Sequence, residues 1–174
     1  MTPEFSRPYR LDTLGQPKDV DIAATPDEAA ALAQRFGLQG IEKLAARARI
    51  IAGTDGIDVT GRMTARATQS CVVTGDAVPA VLDQDFAIRF IAPDAAMPEA
   101  EEIELSAEDC DVMEHDGQAI DLGEAVAQTL GLALDPYPRS AGAQDRLKAA
   151  GVLSEEQAGP FGALAALKDK LKKD

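Results

Sequence analysis

The feature that most constrains this chain is a twofold alternation running from Lys43 to Ala67. Leu44, Ala46, Ala48 and Ile50 alternate with Lys43, Ala45, Arg47 and Arg49. Beyond a turn, Ile57, Val59, Met63, Ala65 and Ala67 alternate with Asp58, Thr60, Arg62, Thr64 and Arg66. Period two sends successive side chains to opposite faces of a strand, so both runs read as strands with one apolar and one polar side. Between them, Asp55-Gly56 has the preferred chemistry of a two-residue type I′ loop. An antiparallel hairpin follows, with one face in a core and one in water. A slip of one residue would expose the whole apolar set, which fixes the side on which each residue lies. The alanines of the first run also favour helix, but their spacing fits period two.

Helical signals flank this hairpin. Thr25-Pro26-Asp27-Glu28 combines an N-cap, a proline at the first helical position and a capping-box glutamate. The helix should run to Phe36, where Gly37 supplies a left-handed stop, with Ala29, Leu32, Ala33 and Phe36 on one face. A second helix is expected over Ile120–Leu134, with Asp121 as N-cap and Glu124 in the first turn, ended by Pro136 and Pro138. Val78–Ile91 reads as a third strand whose core side carries Val78, Leu82, Phe86, Ile88 and Phe90. Phe5–Leu11 is an extended opening segment held at an edge by Pro8, and Asp12–Ala24 reads as polar and irregular. Pro93–Glu102 is an acidic loop, Met113 and Glu114 return toward the sheet, and His115-Asp116-Gly117 turns the chain.

The expected fold is therefore α+β, an antiparallel β-sheet built around a hairpin with two or three packing helices. Residues 1–140 make one domain in this reading. Residues 141–174 form a helical tail or appendage, broken at Gly159-Pro160 and carrying Phe161, Leu164, Leu167 and Leu171 at helical spacing.

Charge divides the chain unevenly. The formal net charge is −13, yet no Lys or Arg lies between Phe90 and Pro138. Such a total disfavours nonspecific adhesion to nucleic acid or anionic lipid, but contact depends on local charge. The hairpin parity gathers Lys43, Arg47, Arg49, Arg62 and Arg66 on one face. Two readings of that face stand side by side. The commoner is an ordinary solvated sheet surface, silenced by acids such as Asp94–Glu104. The other is a phosphate-contacting surface, since the planar guanidinium suits phosphate oxygens. No aromatic interleaves these arginines, which argues against base stacking.

Signatures of catalysis are missing from the sequence. There is no P-loop, dinucleotide fingerprint, nucleophile elbow or EF-hand spacing, and the lone His115 sits in a turn beside acids. A hydrolase or transferase has no constellation to rest on, and no cofactor is implied. Cys71 and Cys110 read as free thiols of a reducing compartment, because Met1–Asp12 has no secretory pattern and no apolar run is long enough to span a bilayer.

Three ordered stretches resemble the YceD family of ribosomal RNA accumulation proteins: RMTARATQSCVVTGDAVP around Cys71, DGQAIDLGEAVAQTLGLALDPYP, and PFGALAALKDKL. The family positions are Cys71, Asp121, Leu122, Pro136 and Phe161. The resemblance implies a bacterial, cytoplasmic and non-enzymatic factor for accumulation or processing of large-subunit (23S) ribosomal RNA. Its expected partners are ribosomal RNA or a precursor large subunit, or a ribosomal protein, with no membrane and no DNA. The rival is an acidic adaptor that captures a basic ribosomal protein without touching RNA. Relatives carry C-x-R-C where this chain has Cys71 and Thr74, and many carry a further cysteine pair where it has Pro136–Ser140. A four-cysteine zinc site is therefore impossible here, and no metal is expected.

Overall fold

In a computed structural model of the chain, which describes residues 3–54, 56–92 and 111–152, the alternating stretch forms the centre of a five-stranded sheet. The elements are β1 (Pro8–Arg10), a 3-10 turn (Leu11–Thr13), β2 (Lys18–Ala23), α1 (Pro26–Phe36), β3 (Gly40–Ala52), β4 (Ile57–Ser70) and β5 (Ala77–Ile91). They continue with β6 (Asp111–Glu114), β7 (Ala119–Asp121), α2 (Leu122–Ala133) and α3 (Ala143–Ala149). The large sheet has the order β2-β3-β4-β5-β6, and β1 pairs with β7 separately. The fold is α+β, as the sequence pattern requires. Contacts divide the chain into two compact units, Met1–Gln69 with Pro79–Pro136, and Ser70–Val78 with Tyr137–Asp174.

In the first unit the inner face of the sheet is the apolar set of the alternation. Leu44, Ala46, Ala48, Ile50, Val59, Met63 and Ala65 are all buried there. Ile88 and Phe90 of β5, Leu32 of α1, and Val126 and Leu130 of α2 complete one continuous core with them. Gly61 lies opposite Ala48, in a space that holds nothing larger. A Cβ there would sit 2.3 Å from the Arg47 carbonyl oxygen and 2.9 Å from the Phe86 ring.

α1 forms as its termini dictate. Thr25 accepts from the Glu28 amide, Glu28 returns a carboxylate to the Thr25 amide, and Gly37 at φ 65° ends the helix in the left-handed region. The Arg7 guanidinium also grips Glu28 at 2.7 and 2.9 Å, and holds its carboxyl well below the usual range, at about 2. α2 starts from Asp121, whose carboxylate accepts from Gly123 N at 3.0 Å and Glu124 N at 3.2 Å. The same side chain accepts from Ser6 Oγ at 2.5 Å and Arg7 N at 2.8 Å, and so ties the opening segment to the helix start. Arg35 of α1 bridges Glu4 and Glu124. Three segments distant in sequence are thus sutured by charge-assisted hydrogen bonds.

Several expectations need correction. Asp12–Ala24 is not irregular: it contains the 3-10 turn and edge strand β2, whose six residues pair with Ala45–Ile50. The loop between β3 and β4 is not centred on Asp55-Gly56. Ala52 pairs with Ile57, and the Gly53 amide donates to the Gly56 carbonyl at 2.8 Å, so Gly56 closes the strand instead of making the turn. The ladder also carries a bulge between Ile41 and Lys43. β6 runs parallel to β5, and Ala143–Ala149 is a short helix. The acidic loop, Cys110 and the expected helix with Phe161 lie outside the described residues.

Candidate nucleic-acid interface

The outer face of the sheet is a charge pattern set by register. Arg47 of β3 stands directly opposite Arg62 of β4, and Lys43 directly opposite Arg66. All five sequence-selected cations share this face and are exposed, with Arg49 beside Thr60. The flanking strands are acidic. Asp19 and Asp21 of β2 pair with Arg49 and Arg47, while Asp83 and Asp85 of β5 share Arg62. Farther along, Asp58 holds Arg89.

Among the described residues, the acids facing the cationic stripe come from the neighbouring strands, and the expected Asp94–Glu104 lies outside them. Sequence reasoning missed Asp19 and Asp21 because β2 was unrecognised, and missed Asp83 and Asp85 because the pairing of β5 leaves no local signal.

Lys43 and Arg66 differ from the rest. Among the described residues neither makes an ion pair or a side-chain hydrogen bond. Lys43 lines a shallow depression of about 440 Å³ on this face, with Asp21, Arg47, Arg62 and Thr64. The outward side chains of β3 and β4 include no aromatic ring.

The second unit holds Cys71, which is buried. Its Sγ accepts from the Ser140 amide at 3.2 Å, and the Thr74 and Ser140 hydroxyls lie 3.2 Å apart. Both hydroxyls bond to the Asp76 carboxylate, and the Val72 amide donates to the Pro138 carbonyl. Positions 71, 74 and 140, separated by up to 69 residues, thus meet in one polar knot. Burial raises the thiol pKa, but donors from Ser140, Thr74 and the Val73 backbone outweigh it and bring the group down to about 6. The knot has one sulfur, and among the described residues no cluster of three His, Cys, Asp or Glu side chains could hold a metal ion.

A folded-state pKa below the ordinary thiol value of 9.0 makes the thiolate a stabilising group. Its contribution is full above the unfolded value and is lost as pH falls toward 6. The difference in melting temperature between the wild type and Cys71→Ala should therefore widen as pH rises from 6 to 9. A pH-independent difference would contradict the thiolate assignment.

Of the remaining sequence-selected positions, Asp121 is the N-cap already described, Leu122 is fully buried beside it, and Pro136 follows the end of α2. Asp121 and Leu122 are structural in their contacts, whereas Pro136 is exposed. No helix among the described residues is long and apolar enough to cross a membrane.

A family model described as large ribosomal RNA subunit accumulation protein YceD matches residues 59–168. No curated protein and no solved structure matches the chain.

Proposed function

The chain belongs to the YceD family of large ribosomal RNA subunit accumulation proteins, and from that premise we propose that it acts without catalysis, by holding ribosomal RNA or a precursor large subunit against the cationic centre of its sheet. Its work is then cytoplasmic. The observation that carries this reading is Lys43 standing opposite Arg66 without an acid on either among the described residues. Like charges directly across a strand pair are destabilising. A phosphate that bridges them relieves the repulsion and gains charge-assisted hydrogen bonds.

Arg47, Arg49 and Arg62 continue the same row. Their Asp partners are exposed, and exposed ion pairs contribute only ~0–1 kcal/mol, so a phosphate can displace a carboxylate at little cost. The acidic flanking strands repel a polyanion and confine it to β3 and β4. With no aromatic platform, contact falls on the backbone, which positions RNA without reading its sequence.

The test is a titration of the purified protein with single-stranded large-subunit ribosomal RNA over a range of salt. Each neutralised phosphate contributes a slope of about −0.7 on the log–log plot. The double variant Lys43→Glu, Arg66→Glu should bind more weakly and flatten that slope by about 1.4, the share of two phosphates, at unchanged thermal stability. An unchanged slope would contradict phosphate contact at this pair.

A further inference from the structure

The cationic stripe is long and narrow. It runs along β3 from Lys43 to Arg49, about 20 Å at the usual strand rise, and it is two strands wide. On either side the outward residues that meet it are acids, Asp19 and Asp21 on β2 and Asp83 and Asp85 on β5. Three interstrand spacings separate β2 from β5, so the two acidic rows stand about 14 Å apart. All four carboxylates are exposed, and together they hold three guanidinium groups, Arg62 taking two of them. The arginines and their flanking acids thus keep a negative balance with every ion pair made. At the Lys43 end the pattern changes, because β2 stops at Ala23, opposite Ala45. The stripe is open there and flanked by acid beyond.

A nucleic-acid backbone has to fit between these rows. A duplex carries its phosphates in two rows on either side of a groove, so seating one row on β3 and β4 sets the other toward the acids of β2 or β5. It reaches Lys43 and Arg66 at the open end, but the three arginines only by bringing phosphate over carboxylate. Salt does little to hide that conflict, because neighbouring strands lie closer together than the screening length of about 8 Å. A single strand has one row of phosphates and turns its bases to water. It can follow the stripe from Lys43 past Arg47 to Arg49 with no second row to place.

We propose that Asp19, Asp21, Asp83 and Asp85 determine specificity on this face, selecting single-stranded over duplex RNA by barring a second row of phosphates from the arginines. The inference rests on the RNA-holding reading of the same face and adds which form of RNA is held. Charge density alone works the other way. A duplex carries more phosphates per unit length, and each contact with it contributes a salt slope of about −0.9, against about −0.7 for a single strand, so an unguarded basic patch takes the duplex first. Reversal of that order is the signature of the flanking acids.

Fluorescence anisotropy at low salt reads the order directly, using a labelled, unstructured RNA oligonucleotide alone and annealed to its complement. The wild type should bind the single strand at least about threefold more tightly than the duplex. In the variant Asp19→Asn, Asp21→Asn, Asp83→Asn, Asp85→Asn the order should invert, with the duplex the tighter of the two. All four side chains are exposed, and the melting temperature checks that the variant is folded. The smaller change Asp83→Asn, Asp85→Asn should narrow the preference without inverting it. Binding of neither form to the wild type would sink the RNA reading itself. Binding of both, with the duplex equal or tighter, would overturn the selectivity alone, as would a single-strand preference that survives undiminished in the Asn variants.

Discussion

Gly123→Ala is expected to destabilise the protein by about 2–3 kcal/mol, the upper part of the usual range for overpacking a packed interior. A Cβ at this position would lie 2.4 Å from the Phe5 carbonyl oxygen and 2.9 Å from both the Phe5 carbonyl carbon and the Arg7 amide nitrogen. All three are backbone atoms, so no side-chain rotation relieves the contact. The opening segment would have to lift from α2, and with it Phe5, which is fully buried, and the Ser6 and Arg7 bonds to Asp121. Helix propensity alone predicts the opposite sign, a gain of about 1 kcal/mol for replacing glycine by alanine in a helix. Urea unfolding decides between them. A stability equal to or above that of the wild type would show that the segment Phe5–Arg7 does not pack on α2 as described.

Asp121→Ala should cost about 3 kcal/mol, since it removes an N-cap and the anchor of the opening segment together. The carboxylate takes four hydrogen bonds, from Ser6, Arg7, Gly123 and Glu124. Helix capping alone accounts for about 1 kcal/mol of this, and the remainder comes from leaving the part-buried Arg7 amide and Ser6 hydroxyl without an acceptor. Asp121→Asn keeps one acceptor oxygen and should cost roughly a third as much. If both substitutions cost the same small amount in thermal unfolding, the suture between the N-terminal segment and α2 is not a source of stability. The family position Asp121 thereby has a physical reason for its identity that owes nothing to RNA.

How far the sequence reveals this protein depends on the range of each interaction. α1 is legible because its determinants, Thr25, Pro26, Glu28 and Gly37, lie within the helix or one residue from it. The apolar and polar faces of β3 and β4 are legible because period two marks them at every residue. Their register is not. Centring the turn one residue later changes every partner across the hairpin yet leaves each side chain on its own face, so hydrophobic patterning does not distinguish the two pairings. Only the pairing found here sets Arg47 against Arg62 and Lys43 against Arg66.

β2 escaped notice because its six residues alternate polar with only three apolar, and an edge strand buries little. Its acids Asp19 and Asp21 gain meaning only beside Arg49 and Arg47, some thirty residues away in sequence. The same holds for the knot in the second unit. Cys71 and Ser140 meet across 69 residues through a backbone amide, an interaction that leaves no trace in residue spacing. Long-range polar pairing of this kind has no signature in local residue pattern.

The same register explains why an acidic protein can carry a cationic surface. Arg47, Arg49 and Arg62 are balanced by strands that run beside them, whereas Lys43 and Arg66 sit near the bulge between Ile41 and Lys43, where the described part of β2 no longer follows. Charge is left over at that end of the stripe.

Co-sedimentation of the tagged protein with ribosomal particles, comparing the wild type with the Lys43→Glu, Arg66→Glu variant, tests the central claim most directly. The wild type should travel with precursor large subunits, and the variant should remain at the top of the gradient although its melting temperature is unchanged. A variant that still travels with the particles as fully as the wild type would contradict the account.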